Sequence, residues 1–107
     1  MVRRLHIIET TLQTGADAEK IASLLVAESL AVCARVDADC RSWYRWRGAV
    51  KQDAEVTLQL KVRDDRLVPC RERLRAMHPY ETPMILVWPV AWADPDYLEW
   101  ACGEEGA

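Results

Sequence analysis

The sequence of 107 residues contains no phenylalanine and no asparagine, and glycine is confined to four positions. Without Asn or a Gly-rich loop there is no amide cradle or water-orienting side chain of the kind that small phosphate-ester and acylphosphate hydrolases need. Ser, His and acid, or Cys and His, nowhere stand at a spacing that reads as a nucleophile with its base, so the chain is expected not to be an enzyme. The 14 basic residues are outnumbered by 17 acidic ones and form no block able to track a phosphate backbone, which argues against nucleic acid as a partner. The apolar run Leu5 to Ile8 is interrupted by His6 and closed by Glu9, too short for a signal peptide or a membrane span, so a cytoplasmic protein without a membrane partner is expected. Cys33, Cys40, Cys70 and Cys102 contain no Cys-x-x-Cys pair, which removes zinc knuckles and thioredoxin-type motifs and leaves four thiols in the cytosol.

What is present is one domain's worth of hydrophobic patterning over residues 1–107, with no internal repeat or low-complexity linker. Half the residues are hydrophobic and five are Trp, more apolar surface than a chain this short buries alone, so some indole is expected to face a partner subunit.

Leu5 to Thr11 reads as a first strand running into a turn at Gly15. Thr14-Gly15-Ala16-Asp17 has the Ser/Thr-x-x-acid spacing of a capping box, and Ala18, Ile21, Ala22, Leu25 and Ser29 follow on one helical face. Leu30 to Val36 returns to β character, Asp37-Ala38-Asp39 predicts a bend or bulge, and Arg41 to Trp46 continues the strand. Gly48 marks a hairpin turn. Glu55 to Val62 then alternates polar and apolar residues with a period of two, the clearest strand in the chain. Asp64 or Asp65 is expected to cap a second helix whose buried side is Leu67, Cys70, Leu74 and Met77, and Pro79 ends it at His78. Pro83 to Val90 is the last strand, Asp94-Pro95 opens a short terminal helix with Tyr97, Leu98 and Trp100, and 103–107 reads as a flexible acidic tail. The order β-α-β-β-α-β with a long central hairpin and a C-terminal helix is an α+β, ferredoxin-like arrangement.

At its motifs the chain resembles the CutA divalent-cation tolerance family, from Leu5 to Trp100. The resemblance rests on Leu30-Ala31-Val32-Cys33-Ala34, on Arg41-Ser42-Trp43-Tyr44-Arg45-Trp46-Arg47-Gly48 with Glu55 and Lys61, on His78-Pro79-Tyr80-Glu81-Thr82-Pro83, and on Pro95-Asp96-Tyr97-Leu98-Glu99-Trp100. It implies a homotrimer in which the hairpins extend the sheets across subunits, and a role in tolerance to or binding of divalent cations, Cu(II) especially. Closing the hairpin edges against neighbours would also satisfy backbone groups that otherwise invite aggregation.

The metal-ligand candidates are His78, Glu9 and Cys33. Glu9 stands where some bacterial relatives carry a Cys, and Met77 where a second His can occur. Copper and zinc sites draw three or four N, S or O ligands, so a neighbouring subunit or further carboxylates would have to complete the set. Each candidate also has a plainer reading: His78 hydrogen-bonds at a helix end, and Cys33 packs as a small hydrophobe. Trp46, Lys61, Tyr80 and Glu81 form a second candidate set, for a small anion or metabolite at a subunit boundary, against which stands simple interface packing. His6 reads as a strand residue satisfied in place. The alternative function is a PII-like trimeric signalling protein binding a small metabolite between subunits, although the tight turn at Arg47-Gly48-Ala49 leaves no long loop of the kind those regulators use. The identity of any small-molecule or protein partner is open at this level.

Overall fold

A computed structural model describes residues 4–103, so that 104–107 of the expected acidic tail lie outside the described residues. The elements are β1 (Leu5–Leu12), α1 (Gly15–Ala27), β2 (Cys33–Trp46), β3 (Ala49–Arg63), a 3-10 turn (Asp64–Arg66), α2 (Leu67–Met77), β4 (Ile85–Pro89) and α3 (Pro95–Cys102). The sheet order is β2-β3-β1-β4, and every neighbouring pair is antiparallel. This is the expected ferredoxin-like α+β arrangement.

Local chemistry explains most of the boundaries. Thr14 is extended, and its hydroxyl accepts from the Asp17 amide at 3.1 Å, capping α1. At the other end Ser29 does not continue the helical face as its spacing suggests. It sits at φ 58, its amide donating to the Val26 carbonyl, while the Leu30 amide donates to the Leu25 carbonyl. That is a Schellman close with Ser at the left-handed position where Gly is usual. Leu30 and Ala31 are therefore spent on the turn, and β2 begins at Cys33. Ser29→Gly is expected to raise unfolding free energy by about 0.5 kcal/mol, because left-handed strain of roughly 1–2 kcal/mol is relieved against roughly 0.5–1 kcal/mol of added backbone entropy cost. Urea melts of the two proteins check it; a loss of stability would show that the Ser29 side chain contributes something else.

Asp64 and Asp65 do not cap α2. They form the 3-10 turn ahead of it, Asp65 taking both oxygens to Arg63 at 2.9 Å, and α2 starts after Arg66 without a side-chain cap. Pro69 falls within the first turn, where its missing N–H costs nothing, and the helix stops at Met77 with His78 extended.

The hairpin is longer than the alternation indicates. Trp46 pairs with Ala49 across the two-residue turn Arg47-Gly48, both residues having positive φ (49 and 80), as a type I′ turn requires. The return strand thus starts at Ala49 and not at Glu55; residues 49–54 are solvated on both faces, with Val50 the one large apolar residue in them, leaving period two invisible. Register slips between Asp37 and Cys40, and Asp39 lies at φ 64, which is the expected bulge. Since β1 pairs with β3 only from Val56 to Arg63, the part of the hairpin beyond that is a two-stranded arm.

Ile8 and Leu12 of β1 and Val56, Leu58, Leu60 and Val62 of β3 face α1 and α2, packing with Ala18, Ile21, Leu25, Cys70 and Leu74. Burial pushes the Cys70 thiol up to about 11. On the other face, directly paired residues line up in rows across the sheet. Cys33, Lys61, Ile7 and Trp88 form one row, and Arg35, Gln59, Glu9 and Leu86 the next. Among the described residues no helix layer covers these rows fully, and Leu86 and Trp88 stay 49% and 36% exposed.

Candidate functional site

The most constrained polar group is His78, at the exit of α2 and 7% exposed. Pro79 forces the chain out of the helix there, turning the imidazole toward the end of β1. Its Nε2 lies 2.9 Å from the Thr11 carbonyl oxygen and 2.9 Å from Thr10 Oγ1, and its Nδ1 lies 3.2 Å from the Tyr80 amide nitrogen. A carbonyl only accepts and an amide only donates, so the tautomer is determined: Nε2 carries the proton and Nδ1 accepts. Burial, with repulsion from Arg75, moves the imidazole pKa below its usual value against the opposing pull of Thr11 and Glu55. The ring is therefore neutral at pH 7.

Tyr80 extends the network. Its ring meets that of His78 edge-on at 4.7 Å, and its hydroxyl donates to Glu55 Oε2 at 2.8 Å. Glu55 lies on β3 just past the last residue paired to β1, and is 9% exposed. Asp53 and Tyr44, which are hydrogen-bonded to each other across the arm, complete the cluster. Burial first, then the negative fields of Glu55 and Asp53, lifts the Tyr80 phenol well above the ordinary tyrosine range. The 78–81 segment thus underlies the arm. Further along, Arg47 at the tip approaches Glu81 at 3.7 Å and stacks its guanidinium on Trp46 at 5.3 Å, while Arg75 donates to the Glu81 carbonyl at 3.3 Å.

The sequence-predicted residues divide across the sheet. Trp46, Tyr80 and Glu81 gather along the arm and the segment beneath it. Lys61 does not join them: it sits on the row with Cys33 and Ile7, six positions along β3 from Glu55. Glu9, next to Thr10, points to the opposite face from His78, because successive strand residues alternate, and its carboxylate accepts from Gln59 Nε2 at 2.8 Å. Cys33 shares that face with Glu9 but lies two strands and one row away, about 12 Å at Cα on ordinary sheet spacing. Tyr97 of α3 lies near it, and burial first, then the proximity of Cys33, raises the Tyr97 phenol. His6 is not satisfied in place, for its buried Nδ1 has no hydrogen-bond partner and stands 3.6 Å from Asp64 Oδ1. Among the described residues no three His, Cys, Asp or Glu side chains converge as a metal site.

Thr10, Asp53 and Glu55 were not picked out as site residues from the sequence. Glu55 falls on the polar parity of β3 and reads as solvated; only the arrival of Tyr80, 25 residues later, buries it.

Comparison with known proteins matches this architecture. Residues 6–104 fit the family model described as CutA1 divalent ion tolerance protein. A divalent-cation tolerance protein CutA from Pyrococcus horikoshii is 36% identical over 98 residues, covering 92% of this chain and 95% of that protein. The crystal structure of divalent ion tolerance protein CutA1 from Ehrlichia chaffeensis superposes with a TM-score of 0.88 at 26% identity, covering 94% of each chain. A structure described as the periplasmic divalent cation tolerance protein CutA from Archaeoglobus fulgidus does so with 0.85 at 28% identity, covering 90% of this chain and 93% of that one. Matched along nearly its whole length in both sequence and fold, the chain belongs to the CutA1 divalent ion tolerance family.

Proposed function

We propose that this protein acts without catalysis, as a homotrimer, in tolerance to divalent cations, Cu(II) first among them, with binding sites completed between subunits. The observation that carries this reading is the open sheet face. Leu86 and Trp88 stand half-exposed there, while Trp43 and Val50 are exposed on an arm whose outer edges have no strand partner among the described residues. Exposed aromatic and aliphatic side chains beside open strand edges are covered by other copies in proteins that stay soluble. A closed ring of three uses each arm once and leaves no free edge.

Within one chain Glu9, Cys33 and His78 do not fit a copper site, because they occupy two faces and three separate positions. A cation held at the open face would take Glu9 or Cys33 and draw its other ligands from a neighbouring subunit. Trp46, Tyr80 and Glu81 flank the arm, where a small ligand would meet a boundary between copies; Lys61 would serve the sheet face instead. Among the described residues no helix is long and apolar enough to cross a membrane. We assign the protein to the cytosol, where its four free thiols stay reduced.

Light scattering on a sizing column tests the assembly, with three times the 12.3 kDa chain mass expected across micromolar concentrations. Trp88→Glu should shift that mass toward the single chain. A wild-type protein that elutes at 12.3 kDa throughout would end the trimer reading. Equilibrium dialysis against Cu(II) and Zn(II), with Glu9→Gln and Cys33→Ser alongside, tests the cation role.

A further inference from the structure

We infer that His78 is a structural latch in this chain and not a metal ligand, so that divalent-cation binding here does not run through an imidazole of the α2 exit. This rests on the cation-tolerance reading only for its relevance; the geometry stands independently.

A metal ligand must offer a bare ring nitrogen with a clear approach. Neither nitrogen of His78 meets both conditions. Nδ1 already accepts the Tyr80 amide at 3.2 Å, and coordination there would orphan a partly buried N–H. Nε2 carries the proton that the Thr11 carbonyl takes at 2.9 Å, with Thr10 Oγ1 sharing it at 2.9 Å. A metal at that nitrogen would have to displace the proton and face a carbonyl and a hydroxyl buried without their donor. Each orphaned group lowers affinity by roughly one to two powers of ten. Nor do the other donors repay this. Glu9 points through the opposite face and is held by Gln59, and Cys33 is two strands away. The carboxylate that does face this network, Glu55, is already the acceptor for the Tyr80 hydroxyl.

What the imidazole does instead is tie three segments together. It grips the end of β1 at Thr10 and Thr11, fixes the turn after α2 through the Tyr80 amide, and by that turn aims the Tyr80 hydroxyl at Glu55, where the arm leaves the sheet. His78 is a positioning residue for the arm.

The chain has only two histidines, which makes the test sharp. Long-range proton–nitrogen spectra of the whole protein at pH 7 should show His78 with a protonated Nε2 and a bare Nδ1. Addition of Zn(II) to a few equivalents should leave both signals unshifted, whether or not zinc binds elsewhere. In His6→Ala, which leaves His78 as the only imidazole, pulsed electron resonance with one equivalent of Cu(II) should show no imidazole nitrogen coupling. His78→Ala should lower Tm by roughly 10 °C, and His78→Gln, which keeps a donor and an acceptor, should recover part of it without changing the copper stoichiometry. Movement of the His78 signals with Zn(II), or an imidazole coupling in His6→Ala, would overturn the inference. Failure to bind copper at all would instead count against the copper reading above and leave the zinc-free tautomer and the stability series to decide the latch.

Discussion

Leu60→Ala is expected to lose about 3–4 kcal/mol of unfolding free energy, while Leu86→Ala loses under about 1 kcal/mol in a single chain. Leu60 is fully buried on a strand with a neighbour on either side, paired to Ile8 and Ala34, its side chain in the layer between sheet and helices. Strands held from both sides cannot close on the vacated volume, so the cost combines lost transfer energy with a retained cavity. Leu86 lies on the same sheet but on the open face and is 49% exposed, so truncation removes little that the single chain had buried. The pair therefore separates core from assembly. If other copies cover the open face, the loss at Leu86 grows and depends on protein concentration, whereas the loss at Leu60 persists at every concentration. Urea unfolding of both variants at two protein concentrations reads this directly. A loss below about 1.5 kcal/mol for Leu60→Ala would mean that the core relaxes freely and that Leu60 is not packed tightly between sheet and helices.

Periodicity and caps carried most of the fold. The alternation from Glu55 to Val62, the Thr14 cap, the Pro79 stop and the Asp37–Asp39 interruption each correspond to a structural event at the expected position. Failures occurred where one residue type serves two physical ends. Ser29 has helical spacing but a left-handed backbone, and nothing local distinguishes those two outcomes without the Leu25 carbonyl to receive the turn. Residues 49–54 form a strand because β2 lies beside them, not through their own pattern. The site was less legible for the same reason on a larger scale. His78 and Glu9 are both plausible donors in one dimension, but which face a donor occupies depends on strand parity and on the turn made at Pro79. The register of β1 puts Thr10, not Glu9, against the imidazole. Glu55 was legible as a polar strand position and a motif residue but not as part of a site, because its partner comes from another element.

That partnership sets the second large effect. Tyr80→Phe is expected to cost about 2–3 kcal/mol, since it leaves a carboxylate that is 9% exposed without its 2.8 Å donor and beside the charge of Asp53. Glu55→Gln should cost less, about 1 kcal/mol, because the amide oxygen still accepts from the phenol and the buried charge is gone. In the double variant the losses should not add. With the charge removed, the loss of the Tyr80 hydroxyl orphans nothing ionic, and a coupling of about 1–2 kcal/mol is expected from the cycle. Tyr44→Phe provides the contrast: its bond to Asp53 is exposed to water, and the melt should be unchanged within error. Additive losses in the Tyr80–Glu55 cycle would show that the two side chains do not meet in solution. Among the described residues the ion pair left between the arm and the segment beneath it would then be Arg47 with Glu81, solvent-screened at 3.7 Å and too weak to keep one orientation. A coupled cycle means that the base of the arm is set within the single chain, so that a neighbouring copy, if the proposed assembly forms, would meet a surface already in position and lose less entropy on docking.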